Sequence, residues 1–202
     1  MARPKLHDDT LRIRLLDRAA ELLSAEGPEA LSLRRLATAA GTSTTAVYSL
    51  FGGKSALLQA VHEEAFRRFG QHLATVEPSG DPDDDLLRLA HAYRASALDD
   101  PHMYAVMFGR RVPGFEPEPA AGDATFQPLV DAVRRAVESG MPADDAADPV
   151  TVAAALWATA HGVVSLEVGG FLPLAAGDPG LLFEQTVTAV ARGWGRQRAR
   201  AG

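Results

Sequence analysis

Anion-binding groups crowd the stretch Leu31 to Leu58, LSLRRLATAAGTSTTAVYSLFGGKSALL. Ser32, Thr42, Ser43, Thr44, Thr45 and Tyr48 bring hydroxyls, while Arg34 and Lys54 bring positive charge. Hydroxyls bond phosphate oxygens or base edges, threonine methyls pack on thymine methyls, and nearby cations neutralise phosphate. That chemistry is recognition of nucleic acid. Catalysis finds no support, because no nucleophile, base and orienting group recur at helical spacing. Two lookalikes fail. GGKS ends like a phosphate-binding P-loop, but that motif needs a glycine where Tyr48 stands and a strand before it. The aspartates of EPSGDPDDD, Glu77 to Asp85, resemble a calcium loop but lack the glycine at loop position six and the glutamate at twelve. No metal site is expected, since no two of the six histidines sit three or four positions apart and there is no cysteine. Disulfides and thiol chemistry are excluded too, and no cofactor is implied.

The elements that must position these groups follow from periodicity. Leu33, Leu36, Ala37 and Ala40 share one face of a short helix, leaving Arg34 and Arg35 outside. Ser32 is placed to cap it, with Arg35 where a capping box would carry Glu. Gly41 ends that helix, and Thr42 or Ser43 caps the next, expected over Thr44 to Leu50. Ala46, Val47 and Leu50 would face inward and Thr44, Thr45 and Tyr48 outward. A helix, a short glycine-containing turn and a second helix form the unit that lays a recognition helix in a DNA major groove.

The run AAGTSTTAVYSLFGGKSALLQAV resembles the DNA-binding domain of TetR/AcrR-type transcriptional regulators. Ala40, Gly41, Ser43, Tyr48, Phe51, Lys54 and Leu57 match that family's pattern, and the resemblance spans about Thr10 to Phe69. Gly52-Gly53 departs from it, since many members carry proline and then a small or acidic residue; so does Ser49-Leu50, where aromatic or His residues are common. The resemblance favours a phosphate contact for the Tyr48 hydroxyl over a purely core role. Lys54 begins the fourth helix, where a cation opposes the helix dipole, and an anionic partner such as phosphate would repair that mismatch. The alternative for Lys54 is a solvated surface lysine. The resemblance also implies an all-α chain, with a three-helix DNA-binding domain at 1–54 and a helical ligand-binding and dimerisation domain at 55–202.

Composition agrees with a globular protein: 202 residues, 47% hydrophobic and 23% charged, with a net charge of −6. The charge is uneven. Residues 1–54 hold eight basic groups against six acidic ones, so a basic end sits on an acidic body. The N-terminus, MARPKLHDDTLRIR, lacks the apolar core of a secretory signal, and Arg3 and Lys5 form part of a polar tail over residues 1–9 or reach a phosphate or the minor groove. A first helix is expected over Thr10 to Ala25, with Ile13, Leu16, Ala20 and Leu23 as its core stripe, widened by Leu15, Ala19 and Leu22.

Beyond it, helices are expected from Ser55 to about Val76, from Leu86, across PHMYAVMFG, over Phe126 to Glu138, over Pro149 to Phe171 and from Leu181 to about Arg198. Residues 110–125 and MPADDAADP read as loops. VTVAAALWATAHGVVSL is apolar enough to raise a membrane span, but its small and polar residues and the lack of a basic flank favour a buried helix. Trp157, His161 and Gly162, then Ser165, Leu166, Glu167 and Gly169, resemble a WHG-type C-terminal domain found in a subset of these regulators. Met103, Tyr104, Met107, Phe108, Phe126, Trp157 and His161 are candidate contacts for a hydrophobic effector, though each also suits a core. By resemblance, the last two large helices of two subunits form a homodimer interface. The function expected is a cytoplasmic repressor, not an enzyme, that binds a palindromic double-stranded operator and is released by a small molecule. An activator or ligand-independent regulator, or a carrier or enzyme keeping a DNA-binding remnant, are the alternatives.

Overall fold

The computed structural model describes residues 5–118, 120–139, 148–173 and 177–195. Arg3, most of the MPADDAADP loop and the end of the last helix at Arg198 lie outside them. Among the described residues the regular structure is helical throughout, and the chain divides into two compact units. Unit 1 comprises residues 1–68 and 100–121, and unit 2 comprises 69–99 and 122–202.

Unit 1 holds α1 (Lys5–Glu26), a 3-10 turn (Pro28–Ala30), α2 (Leu33–Ala39), α3 (Thr44–Phe51), α4 (Lys54–Leu73) as far as Arg68, and α6 (Pro101–Phe108) with the loop after it. Its core joins Leu11, Leu15, Leu16, Ala19 and Ala20 of α1 to Leu36, Ala37, Val47, Phe51, Leu57, Val61 and Met103. α1 starts at Lys5 rather than Thr10, taking in residues expected as tail; Asp8 suits that first turn because an anion complements the helix dipole. The buried stripe is also rotated from expectation. Leu11, Leu15 and Ala19 lie one above another at four-residue spacing, which turns Ile13 outward to 50% exposure.

One guanidinium joins three helices of this unit. Arg68 on α4 donates to Asp17 of α1 at 2.6 Å, to Asp100 at 3.1 Å and to Glu64 one turn back at 2.8 Å. Burial disfavours the charge on Arg68, but the hydrogen bonds it donates to Glu64 and Asp17, with the charges of those carboxylates, outweigh it and raise its pKa. Asp100 is also the N-cap of α6, accepting the Met103 N–H at 3.0 Å.

Unit 2 packs α5 (Pro82–Asp99), α8 (Pro149–Val168) and α9 (Pro179–Gly195) against one another, with α7 (Ala120–Glu138) adding buried Val130, Val133 and Ala136. The aspartates at 83–85 form the first turn of α5, so helix capping accounts for them. Asp81 accepts the Asp83 N–H, and buried Asp85 accepts the Ser79 N–H at 2.7 Å, which holds its carboxyl below the usual range. α7 begins six residues before Phe126 because the mostly small residues of AAGDAT continue the helix, and it tolerates Pro128 inside. Arg94 of α5 grips Glu167 of α8 through two hydrogen bonds and lies 6.0 Å from the Phe183 ring of α9. α8 is long and apolar enough to cross a membrane, with a mean hydropathy of 1.4. Yet Val152, Ala153, Leu156, Ala160 and Val164 are buried where α5 and α9 pack on it. Small residues do not bring a neighbour close at Gly162, where an added side-chain carbon would meet nothing within 4 Å.

Gly52 ends α3 in the left-handed region at φ 78°, and its N–H bonds Tyr48 O at 2.8 Å. Gly52→Ala, with room for the methyl but the wrong φ, should cost about 1–2 kcal/mol in urea unfolding; an unchanged midpoint would mean that α3 closes some other way.

Candidate nucleic-acid interface

The corner between α2 and α3 is fixed by backbone bonds. Gly41, at φ 63°, donates to Thr38 O at 3.1 Å, and Thr42 donates to Ala37 O at 2.9 Å, the paired bonds of a Schellman turn. Ser43, not Thr42, caps α3: its hydroxyl oxygen accepts the Ala46 N–H at 3.2 Å. Ser32 does the same for α2, accepting from Arg35 N at 3.2 Å. In each cap the lone pair is used and the hydroxyl proton stays available for an acceptor such as phosphate.

From that corner α3 buries Val47 and Phe51 and exposes Thr44, Thr45, Tyr48 and Ser49. Ala46 and Leu50 are only half-buried, so Phe51 takes the inward place expected of Leu50. Tyr48 is 56% exposed, which excludes a core role for its ring. Ser49 also belongs to this face, outside the set expected from the sequence, although it follows Thr45 by one helical turn and spacing could have found it.

The cations around α3 have different partners. Arg34 is exposed on α2, whereas Arg35 beside it is held by Glu26. Lys54, exposed at the start of α4, reaches 3.5 Å from Pro28 O and so bridges to the 3-10 turn; its ammonium has further protons for an anion. Arg12 of α1 lies 5.0 Å from the centre of the Phe51 ring, a cation–π contact that periodicity does not reveal.

The candidate effector residues fall in two places. In unit 1, Met103 and Tyr104 are buried and Met107 and Phe108 half-buried, with Tyr104 and Phe108 ring centres 5.2 Å apart. In unit 2, Phe126 lies 6.1 Å from Trp157, and Trp157 lies 5.8 Å from His161. His161 Nδ1 is 2.9 Å from the Tyr93 hydroxyl and Nε2 is 3.3 Å from Ser165 Oγ. Burial lowers the His161 pKa, so the ring is held neutral, with one nitrogen donating and the other accepting. Tyr93 and Ser165 join this group only in the fold. Ser165 sits one turn after His161 and was findable, whereas Tyr93 is 68 residues away and carried no signal.

Removing the exposed cation tests this surface. Arg34→Ala should weaken duplex DNA binding and flatten the dependence of log affinity on log salt by about one unit. An unchanged slope would put Arg34 away from the phosphates.

Comparison with known proteins agrees with this geometry. Residues 15–61 match the family described as bacterial regulatory proteins, tetR family, and residues 86–190, which include Trp157, His161 and Gly162, match the tetracyclin repressor-like C-terminal domain. The chain is 27% identical over 220 residues to the HTH-type transcriptional regulator Rv1816 of Mycobacterium tuberculosis, covering 91% of this chain and 92% of that one. It is 30% identical to a solved protein of unknown function from Rhodococcus sp. RHA1, with a TM-score of 0.76, covering 92% of this chain and 96% of the other. The fold is shared with the TetR family regulator PfmR of Thermus thermophilus, at 23% identity, a TM-score of 0.71 and coverage of 89% and 97%. The helix-turn-helix of α2 and α3 lies within the matched tetR-family segment, so the chain belongs to the TetR family and is a DNA-binding transcriptional regulator, not an enzyme.

Proposed function

We propose that the protein is a ligand-released repressor, acting in the cytoplasm as a homodimer on a palindromic double-stranded operator. Residues 1–54 serve as the DNA-binding domain, with Ser32, Arg34, Thr42, Ser43, Thr44, Thr45, Tyr48 and Lys54 as its contacts. Two copies of α3 would meet successive major-groove faces roughly 34 Å apart. Residues 55–202 serve effector binding and dimerisation. Apolar side chains left exposed on α8 and α9, among them Val150, Leu166 and Leu181, support a dimer through those helices.

The observation that carries the effector reading is the His161 group. A neutral imidazole bonded to Tyr93 and Ser165 stands beside the half-buried Phe126 and the Trp157 ring. Such a group suits a largely apolar molecule with one hydrogen-bonding function, because apolar walls supply affinity and a few placed polar atoms supply orientation. Met103 packs in the core of unit 1, and its place there supports a wall or packing role rather than a polar contact.

Trp157 provides the readout. With Trp194→Phe to leave Trp157 as the remaining tryptophan, hydrophobic molecules are screened for quenching and then added to protein bound to selected genomic DNA. Release predicts that a saturating quencher lowers operator affinity by about tenfold or more, within the usual range of coupling between sites. Equal affinity with and without it would end the release mechanism, and tighter binding would overturn it in favour of a ligand that acts with the DNA-bound form. Sedimentation should give a dimer; a monomer at micromolar concentration would remove the two-helix operator model.

A further inference from the structure

His62 lies on α4 within unit 1 and is only 8% exposed. Its Nδ1 has no hydrogen-bond partner, the one such buried side-chain atom among the described residues. Its neighbours are aromatic. The Phe66 ring, one turn along α4, is 4.8 Å away, and Phe115 from the loop after α6 lies edge-on at 6.4 Å. Phe66 in turn meets Phe108 of α6 at 6.1 Å. The ring therefore sits in an aromatic box formed by Phe66 and Phe115, which α6 backs through the contact of Phe108 with Phe66.

The charged groups nearby offer it no acceptor. On α4, Glu63 is the charge that acts on the ring, and Glu64 is taken by Arg67 and Arg68. On α6, His102 is hydrogen-bonded to Ser24 of α1. On the loop, Arg110 lies by Gly27 and Arg111 faces Glu116 in solvent. On α1, Asp17 is taken by Arg68, Glu21 by Arg18 and Glu26 by Arg35.

A neutral imidazole tolerates this box with one nitrogen unsatisfied. An imidazolium brings two N–H donors and a full charge into it, and the ring faces compensate only in part. We propose that His62 makes the DNA-binding unit itself proton-responsive: protonation drives the ring from its aromatic box and loosens α6 and the segment 109–118 from α4, with no effector required. Burial is the larger influence on the ring and lowers its pKa, while Glu63 opposes it more weakly. The closed form thus binds the proton more weakly than the open form. Above the ordinary value of 6.5 both are neutral and the closed form keeps its full stability. As pH falls below that value the open form takes up the proton first, and the closed-to-open ratio drops by up to about tenfold per pH unit until the closed-state pKa is passed.

Amide hydrogen exchange on the full chain tests this locally, with rates corrected for the intrinsic effect of pH. Peptides covering residues 103–116 and 58–66 should lose protection between pH 7.5 and 5.5, by up to about tenfold per unit below 6.5. His62→Phe, which fills the box without a titrating group, should abolish that loss. His161→Phe in unit 2 should leave it intact. Protection that does not change with pH, or that falls equally in His62→Phe, overturns the proposal. If His62→Phe fails to fold, the imidazole carbon signal of His62 in the unsubstituted protein decides: titration below 6.5, with a matching shift at Phe115, supports the switch, and titration at or above 6.5 overturns it.

Discussion

The burial of two side chains, Val47 and Phe51, is the constraint on which the proposed DNA-binding surface depends. α3 has eight residues, far too few to hold a helix alone, so its polar face exists only because these two side chains fix it against the unit's core. Each end is closed within the chain: the Schellman turn at Gly41 and the Ser43 cap at one end, and the left-handed Gly52 at the other. Once the inner face and both ends are set, Thr44, Thr45, Tyr48 and Ser49 have nowhere to go but outward. The departure at Gly52-Gly53 from the family's usual proline has a local reason here. Glycine adopts the positive φ that lets α4 start with only two residues between it and α3.

A second constraint secures the helices behind that surface. Arg68 satisfies Asp17, Glu64 and Asp100 together, and Asp100 in the same act caps α6. Losing the guanidinium would leave Asp17 and Asp100 without it and Glu64 with Arg67 alone in a partly buried place, so one cation adds a polar tie to helices that the core already packs together. α6 thereby belongs by packing to the unit that carries the helix-turn-helix, although it lies beyond α5 in the chain. The compact units therefore do not follow the boundary at residue 54 proposed for DNA binding, because α6 serves a core that is built mostly from the first four helices.

What could be read in the sequence was local. The caps at Ser32 and Ser43, the glycine turn and the outward hydroxyls of α3 all depend on residues within four positions of one another. Along α4, Leu58, Val61, Ala65, Phe66 and Phe69 recur at helical spacing, and all are buried. Ile13 did not, because α1 carries apolar residues on most of its circumference and its partners choose which stripe is inside. α7 is longer than its periodicity implies, because Pro128 and small residues hide its first turn. The long-range pairings were illegible for a plainer reason. Arg68 with Asp17 and Tyr93 with His161 join residues 51 and 68 positions apart, and nothing in spacing or composition marks them.

The central claim is that the outward face of α3 reads a DNA sequence rather than merely attracting a polyanion. Fluorescence anisotropy with DNA flanking the protein's own gene, against a scrambled duplex of equal composition across a salt series, tests it most directly. The account predicts at least about a thousandfold preference for the flanking DNA, the separation expected of a specific site. Equal, steeply salt-dependent binding to that DNA, to the scrambled duplex and to genomic fragments enriched by selection would contradict it.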